Sequence, residues 1–152
     1  MPVLHDLLPP TTTRVEENTR RTLNEDIRAE TERSVRRYAG ASKQEITRRL
    51  EELDREWDVE RVLEANAATL ACTGAILALT VNRRFAWLSA IVTGFLLQHA
   101  LQGWCPPVPF LRSRRVRTAR EINNEKTALR VLRGDFHPTA DASEALRQVR
   151  GF

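Results

Sequence analysis

The sequence predicts an all-α membrane protein in which a two-helix transmembrane hairpin is joined to charged, amphipathic cytoplasmic helices. Residues 65–111, a stretch of 47 residues, contain only two formally charged side chains, Arg83 and Arg84. The flanks are densely charged: residues 1–64 hold 12 basic and 15 acidic side chains, and residues 112–152 hold 10 basic and 5 acidic ones. No stretch alternates apolar and polar residues between turn signals, so β-strands are not expected.

The N-terminal part of the chain is predicted to be a disordered leader followed by a charged helical arm. Residues 1–13 contain three prolines and a run of threonines, a composition typical of poorly ordered termini. The arm covers residues 14–57, and in its first part, residues 14–38, the few apolar side chains are spaced as a thin stripe on a solvated helix. Within this arm, Ser42 and Glu45 have the spacing of a capping box, which predicts that a second helix begins there.

The second helix of the arm carries an apolar seam with spacings of 4, 3 and 4 residues, formed by Ile46, Leu50, Leu53 and Trp57. The spacing matches two heptads of a coiled coil, which favours association with a second copy or with a partner helix. Packing against a neighbouring segment of the same chain explains the same pattern equally well. Two heptads are too few to decide between these interpretations.

Residues 58–111 are predicted to form the membrane hairpin. Asp58 is a candidate N-cap, and the two apolar segments that follow it, at about 62–81 and 85–104, each contain 20 residues. At ~1.5 Å per residue, each helix would be about 30 Å long, which matches the hydrocarbon core of a bilayer. The alternative is a soluble pair of helices buried in a larger bundle, but the flanks offer few apolar side chains with which to cover it.

The distribution of arginine predicts the orientation of the hairpin. Eight arginines lie close to its outer ends, against two in the turn. The flanking set comprises Arg49, Arg55 and Arg61 before the hairpin, and Arg112, Arg114, Arg115, Arg117 and Arg120 after it. Because positively charged loops stay in the cytoplasm, we expect a multi-pass protein of the bacterial inner membrane with both termini cytoplasmic. The five arginines after the hairpin are predicted to contact anionic lipid headgroups.

Residues 112–152 are predicted to form a basic C-terminal arm with a helix at about 118–133. Thr118 and Glu121 have the spacing of a capping box, and Gly134 is a natural C-terminal stop. A nucleic-acid partner is not expected, because no aromatic side chains interleave with the arginines and no binding motif occurs.

Three short motifs of the hairpin occur in a specific combination. They are Val59-Glu60-Arg61 at its start, Thr80-Val81-Asn82 with Phe85 and Leu88-Ser89 at its turn, and Gly103-Trp104-Cys105 at its end. This combination resembles the two-helix transmembrane domain of the YgaP-like membrane proteins, over roughly residues 58–112. The resemblance implies an inner-membrane hairpin that associates as a dimer. Such a hairpin can anchor a rhodanese domain, but residues 1–57 contain no cysteine, so sulfurtransferase activity is not implied here.

Two side chains of the hairpin have reactive or ionisable groups. Cys105 is a candidate thiol for accepting sulfur, lipid or metal, or else a small residue at a tight helix exit; no basic residue is adjacent to it in sequence. His99 has no evident carboxylate partner in the two spans, so we expect an interfacial or interhelical hydrogen-bonding group.

Small residues one turn apart on each span predict close helix packing, either within the hairpin or in a dimer: Gly74, Ala78, Ala90 and Gly94. Leucine at either glycine is expected to disrupt that packing, whereas alanine is expected to be tolerated.

The sequence as a whole predicts a protein without catalytic activity and without a cofactor. It contains no phosphate-binding glycine motif, no nucleophile elbow and no zinc-protease motif. The predicted role is an oligomeric anchor or scaffold, most simply a dimer, that contacts membrane lipids and holds cytoplasmic protein partners through its N-terminal arm. A membrane-bound thiol- or sulfur-handling protein acting through Cys105 is the alternative.

Overall fold

The computed structural model describes residues 9–139 and 141–150, and every regular element in these ranges is helical. The all-α prediction is therefore confirmed for the described residues, whereas most of the predicted leader, residues 1–8, lies outside them. The helices are α1 (Arg14–Glu17), α2 (Arg21–Arg37), α3 (Lys43–Arg55), α4 (Val59–Thr80), α5 (Ala86–Gln102), α6 (Pro107–Ser113), α7 (Ala119–Arg133) and α8 (Ala142–Arg150), with a 3₁₀ turn at Arg83–Phe85 between α4 and α5.

The chain divides into two compact units. The first, here called the hairpin unit, comprises the described parts of Met1–Ile27 and Trp57–Arg120. The second, the arm unit, comprises those of Arg28–Glu56 and Glu121–Phe152. The units thus differ from the linear division expected from the sequence, because the beginnings of both predicted arms belong to the hairpin unit.

Within the hairpin unit, local side-chain chemistry sets the ends of α4 and α5. Asp58 caps α4, as predicted, by accepting a hydrogen bond of 2.8 Å from the backbone N–H of Arg61. The helix α5 ends at Gly103, which has a positive φ of 74°. A Cβ atom at this position would also lie 2.6 Å from the backbone carbon of Arg14. Only glycine therefore allows the N-terminal segment to approach the end of α5 so closely.

Within the arm unit, the apolar seam of α3 is part of the core. Ser42 and Glu45 form the predicted capping box at the start of α3. The buried core cluster consists of Ile46, Leu50 and Leu53 from α3 with Ile122 and Leu129 from α7. The structure thus corrects the partner interpretation of the seam: these three α3 residues pack within the chain. The fourth predicted member, Trp57, belongs to the hairpin unit.

Candidate functional site: the apolar hairpin and its polar base

Two helices of the hairpin unit are long and apolar enough to cross a membrane. The apolar windows on α4 and on Arg83–Gln102 are only 11% and 6% buried. Large apolar side chains therefore face outward along both helices, including Leu70, Ile76, Leu79, Trp87, Ile91, Phe95 and Leu97. A pair of core helices in a soluble protein would have most of these side chains covered by protein, which is not the case in this unit.

Four threonines and one asparagine of the two apolar helices are hydrogen-bonded within their own helices. The hydroxyls of Thr69, Thr73, Thr80 and Thr93 each donate to the backbone carbonyl four residues earlier, at 2.7 to 2.8 Å. The amide of Asn66 donates to the carbonyl of Val62 in the same way. Because no water is available in a bilayer core, such internal hydrogen bonds remove the cost of placing these side chains in lipid. The threonine-rich α4 is thereby compatible with the membrane.

The two spans meet at Gly74, and only part of the predicted small-residue set takes part in this contact. A Cβ atom on Gly74 would lie 2.7 Å from Oγ of Ser89 and 3.1 Å from its backbone nitrogen. The Ser89 hydroxyl also donates to the carbonyl of Ala71 at 2.8 Å, which joins the helices directly. Gly94 and Ala90 are exposed, and a Cβ on Gly94 would meet nothing within 4 Å. Of the two alternatives left open by the sequence, packing within the hairpin therefore holds for Gly74 but not for Gly94, for which dimer packing stays a prediction. The contact of Gly74 with Ser89 was not predicted.

Aromatic side chains lie at both ends of the hairpin. Trp57, Trp104 and Phe110 are exposed near the end where α4 begins and α5 finishes, a region here called the base. Phe85 and Trp87 are exposed at the turn. Tryptophan and other aromatic residues favour the two headgroup regions of a bilayer, because their apolar rings and polar edges suit that boundary. Their positions match the ends of a helix pair of membrane-spanning length.

A partly buried polar network occupies the base. Glu60, in the first turn of α4 and before its apolar segment, accepts a hydrogen bond of 3.0 Å from the Arg14 guanidinium. Its other oxygen lies 2.9 Å from Nε2 of His99, which is 4% exposed. An ionised carboxylate can only accept, so Nε2 is the donor in this pair. His99 is thus an interhelical hydrogen-bonding group, as expected. Its carboxylate partner was missed because Glu60 precedes the predicted span.

The hydrogen bond from His99 lowers the pKa of Glu60 below 4.5, with the charges of His99 and Arg14 acting in the same direction and burial opposing them. A carboxyl group whose pKa is lower in the folded than in the unfolded state stabilises the fold. The contribution is complete when the pH lies above the pKa of the unfolded state. That contribution is lost as the pH falls through the pKa of the folded state.

We therefore expect the thermal stability of the detergent-solubilised protein to fall below pH 4.5 partly through Glu60. The variant Glu60→Gln should be less stable than the wild type near neutral pH, and the difference should shrink in acid. The measurement is the thermal midpoint across a pH series, with Glu64→Gln, an exposed carboxylate one turn later, as the matched control. A difference that stays constant with pH would contradict a charged Glu60 in the network.

The arginines after the hairpin have different environments. Arg112 is fully buried and donates to Oδ1 of Asn24 at 2.8 Å and to the carbonyl of Val116 at 3.0 Å. It therefore holds the chain together and does not contact headgroups, which corrects the prediction for this residue. Arg120 pairs with Glu16 at 2.7 Å. Headgroup contact stays a prediction for the other three, of which Arg114 and Arg115 are exposed and Arg117 is half-buried.

The candidate thiol, Cys105, lies in the apolar core of the base. It is 3% exposed and clusters with Val15, Val59, Leu63 and Val108. Burial raises the pKa of this thiol, so the nucleophilic thiolate is disfavoured. The described residues contain no cluster of histidine, cysteine or carboxylate side chains that could hold a metal ion. This environment favours the interpretation of Cys105 as a small residue that packs at the helix exit.

The resemblance to the YgaP-like hairpin rests on the sequence motifs of residues 58–112 alone, and no comparison with known proteins supports or contradicts it. The similarity to the YgaP-like hairpin is thus still a prediction, and the features that bear on function are those of the described residues: two apolar helices, a glycine–serine contact and a polar base. Comparison with family models, with curated proteins and with solved structures gives no match for this chain.

Proposed function

We propose that this chain is a non-catalytic hairpin protein of the bacterial inner membrane that acts as an oligomeric anchor or scaffold for cytoplasmic partners. The observation that carries the proposal is the pair of spanning-length apolar helices, α4 and the segment Arg83–Gln102, whose apolar side chains are left uncovered. Apolar surface of this extent is favourable in lipid and unfavourable in water. The internally bonded threonines and the aromatic side chains at both ends support the same placement.

The base of the hairpin supports a topology with both chain flanks on one side of the membrane. The segment around α1 is joined to α4 by the pair Arg14–Glu60 and to the C-terminal flank by the pair Arg120–Glu16. The backbone N–H of Val59 also donates to the carbonyl of Arg117 at 2.9 Å. Both flanks therefore leave the hairpin at its base, and the excess of arginine there supports a cytoplasmic location for that side.

The exposed small residues of α5 support self-association of the anchor. Ala90 and Gly94 lie one turn apart on a surface that α4 does not cover. In lipid, helix association depends on close van der Waals approach, which small residues permit. Under this proposal a second copy of the chain packs on that surface, and the charged arm unit of each copy is held in the cytoplasm for its partners.

Topology labelling tests the proposal directly. In a background with Cys72 and Cys105 replaced by serine, single cysteines are placed at Arg84, Lys43 and Lys126. A membrane-impermeant maleimide added to spheroplasts should label the site at Arg84 and should reach the other two only after the membrane is permeabilised. The membrane fraction should also retain the protein in alkaline carbonate. Release by carbonate, or labelling of Lys43 and Lys126 sites from outside, would contradict the proposed function.

A further inference from the structure

A sizeable apolar cavity opens on the flank of the hairpin, between α4, α5 and α6. Its volume is about 520 Å³, within the range of roughly 300–1,000 Å³ that is usual for ligand sites. Its walls are almost entirely apolar and include Leu63, Ala67 and Leu70 from α4, Ile91 and Phe95 from α5, and Phe110 from α6. The network of Glu60, His99 and Arg14 does not line it. The cavity therefore reaches the base through Phe110 and Cys105 but is separate from its polar network.

The position of the cavity along α4 indicates what fills it. Its α4 wall extends from Leu63 to Leu70, seven residues or about 10 Å along the helix axis, starting next to the base. In the proposed membrane placement this is the half of the hairpin nearest the cytoplasmic headgroups. An unfilled apolar cavity loses van der Waals contacts along its whole wall. Lipid acyl chains are the apolar groups present at this depth.

A positive charge lies at the edge of the same cavity. The Arg114 guanidinium is 4.9 Å from the ring centre of Phe110, a cavity wall, and Arg114 is exposed. Within the part of the chain that the structure describes, no carboxylate pairs with Arg114. Stacking on Phe110 holds the guanidinium next to a residue of the cavity wall and leaves its N–H groups available to a phosphate. The positive charge of Arg114 complements the anionic headgroup of a lipid whose acyl chain lies in the cavity.

We propose that this cavity binds one acyl chain of an anionic phospholipid from the cytoplasmic leaflet and that Arg114 binds its phosphate. The proposal rests on the membrane placement argued above. The hairpin would then hold one lipid per protein chain. Ala67 and Phe110 would contact the acyl chain, and Arg114 would contact the headgroup.

Native mass spectrometry of the full chain in detergent, titrated with phosphatidylglycerol or phosphatidylcholine, tests the site. The wild type should retain one phosphatidylglycerol per chain in preference to phosphatidylcholine. The variant Ala67→Phe fills the cavity and should weaken phosphatidylglycerol binding by about tenfold. Ala68→Phe adds the same side chain to the next residue, which does not line the cavity, and should change binding by less than about twofold.

The headgroup part of the site has its own pair of variants. Arg114→Gln should reduce the preference for phosphatidylglycerol over phosphatidylcholine by about fivefold while chain binding persists. Arg83→Gln removes an arginine from the opposite end of the hairpin and should leave the preference unchanged.

Two results would overturn the lipid site. Equal phosphatidylglycerol binding by Ala67→Phe and Ala68→Phe would show that the cavity binds no acyl chain. A lower oligomeric state in Ala67→Phe with unchanged lipid binding would show that a second copy fills it. A protein that resists carbonate extraction but gives either result retains its proposed function and loses only this site, whereas carbonate release of the wild type removes the membrane function itself.

Discussion

Replacing Gly74 with leucine is expected to separate α4 from α5 and to give the largest loss of stability in the hairpin unit. The Cβ atom alone would lie 2.7 Å from the Ser89 hydroxyl and 3.1 Å from its backbone nitrogen. Rotating the hydroxyl away would break its hydrogen bond to the carbonyl of Ala71, and the backbone cannot move without shifting α5. We expect a loss of about 3 kcal/mol in the free energy of unfolding, at the upper end of overpacking effects.

The same geometry gives a matched control and a sharper expectation for alanine. Ala75→Leu places a leucine at the next residue of the same helix, which is exposed, and should leave the hairpin stable. Gly74→Ala should be destabilised by a smaller amount than leucine, contrary to the tolerance predicted from sequence. Thermal unfolding in detergent provides the measurement for all three variants. Equal midpoints for Gly74→Leu and Ala75→Leu would contradict the observed helix contact.

Replacing Arg49 with alanine is expected to have the largest effect on the arm unit. Arg49 donates two hydrogen bonds, of 3.0 and 3.1 Å, to Oε1 of Glu125, which is fully buried. Ser34 donates to the same oxygen at 2.6 Å. Removing the guanidinium takes two hydrogen bonds and a counter-charge away from a buried carboxylate, which costs about 3 kcal/mol.

Hydrogen–deuterium exchange of the full chain in detergent can locate this loss. Amides of α3 and α7 should exchange faster in Arg49→Ala, whereas those of α4 and α5 should keep their protection. Arg48→Ala is the matched control, since Arg48 is the exposed neighbour on α3 and its loss should change stability by less than about 0.5 kcal/mol. Comparable protection of α3 in both variants would show that the Glu125 pair contributes little.

The sequence by itself determined those features that depend on residues close together in the chain. Asp58 caps α4 and Ser42 caps α3 because each side chain reaches a backbone N–H three residues away. The lengths of α4 and α5 follow from uncharged runs that end at a polar turn and at Gly103. Local hydrogen bonding and hydropathy are sufficient for these predictions, because they involve no partner from a distant segment.

Only the tertiary structure decided which side chains meet across the chain. Glu60 was assigned to the start of a helix, yet it pairs with His99, which is 39 residues away. The sequence predicts that Arg112 is one of five arginines at the membrane surface. In the structure it is buried and donates a hydrogen bond to Asn24. Likewise Gly74 and Gly94 have similar sequence surroundings, but the rotation of α5 about its axis places Ser89, and not Gly94, against α4. These contacts depend on how the helices are oriented relative to one another. The periodicity of one segment predicts which of its residues share a face, but not what that face contacts.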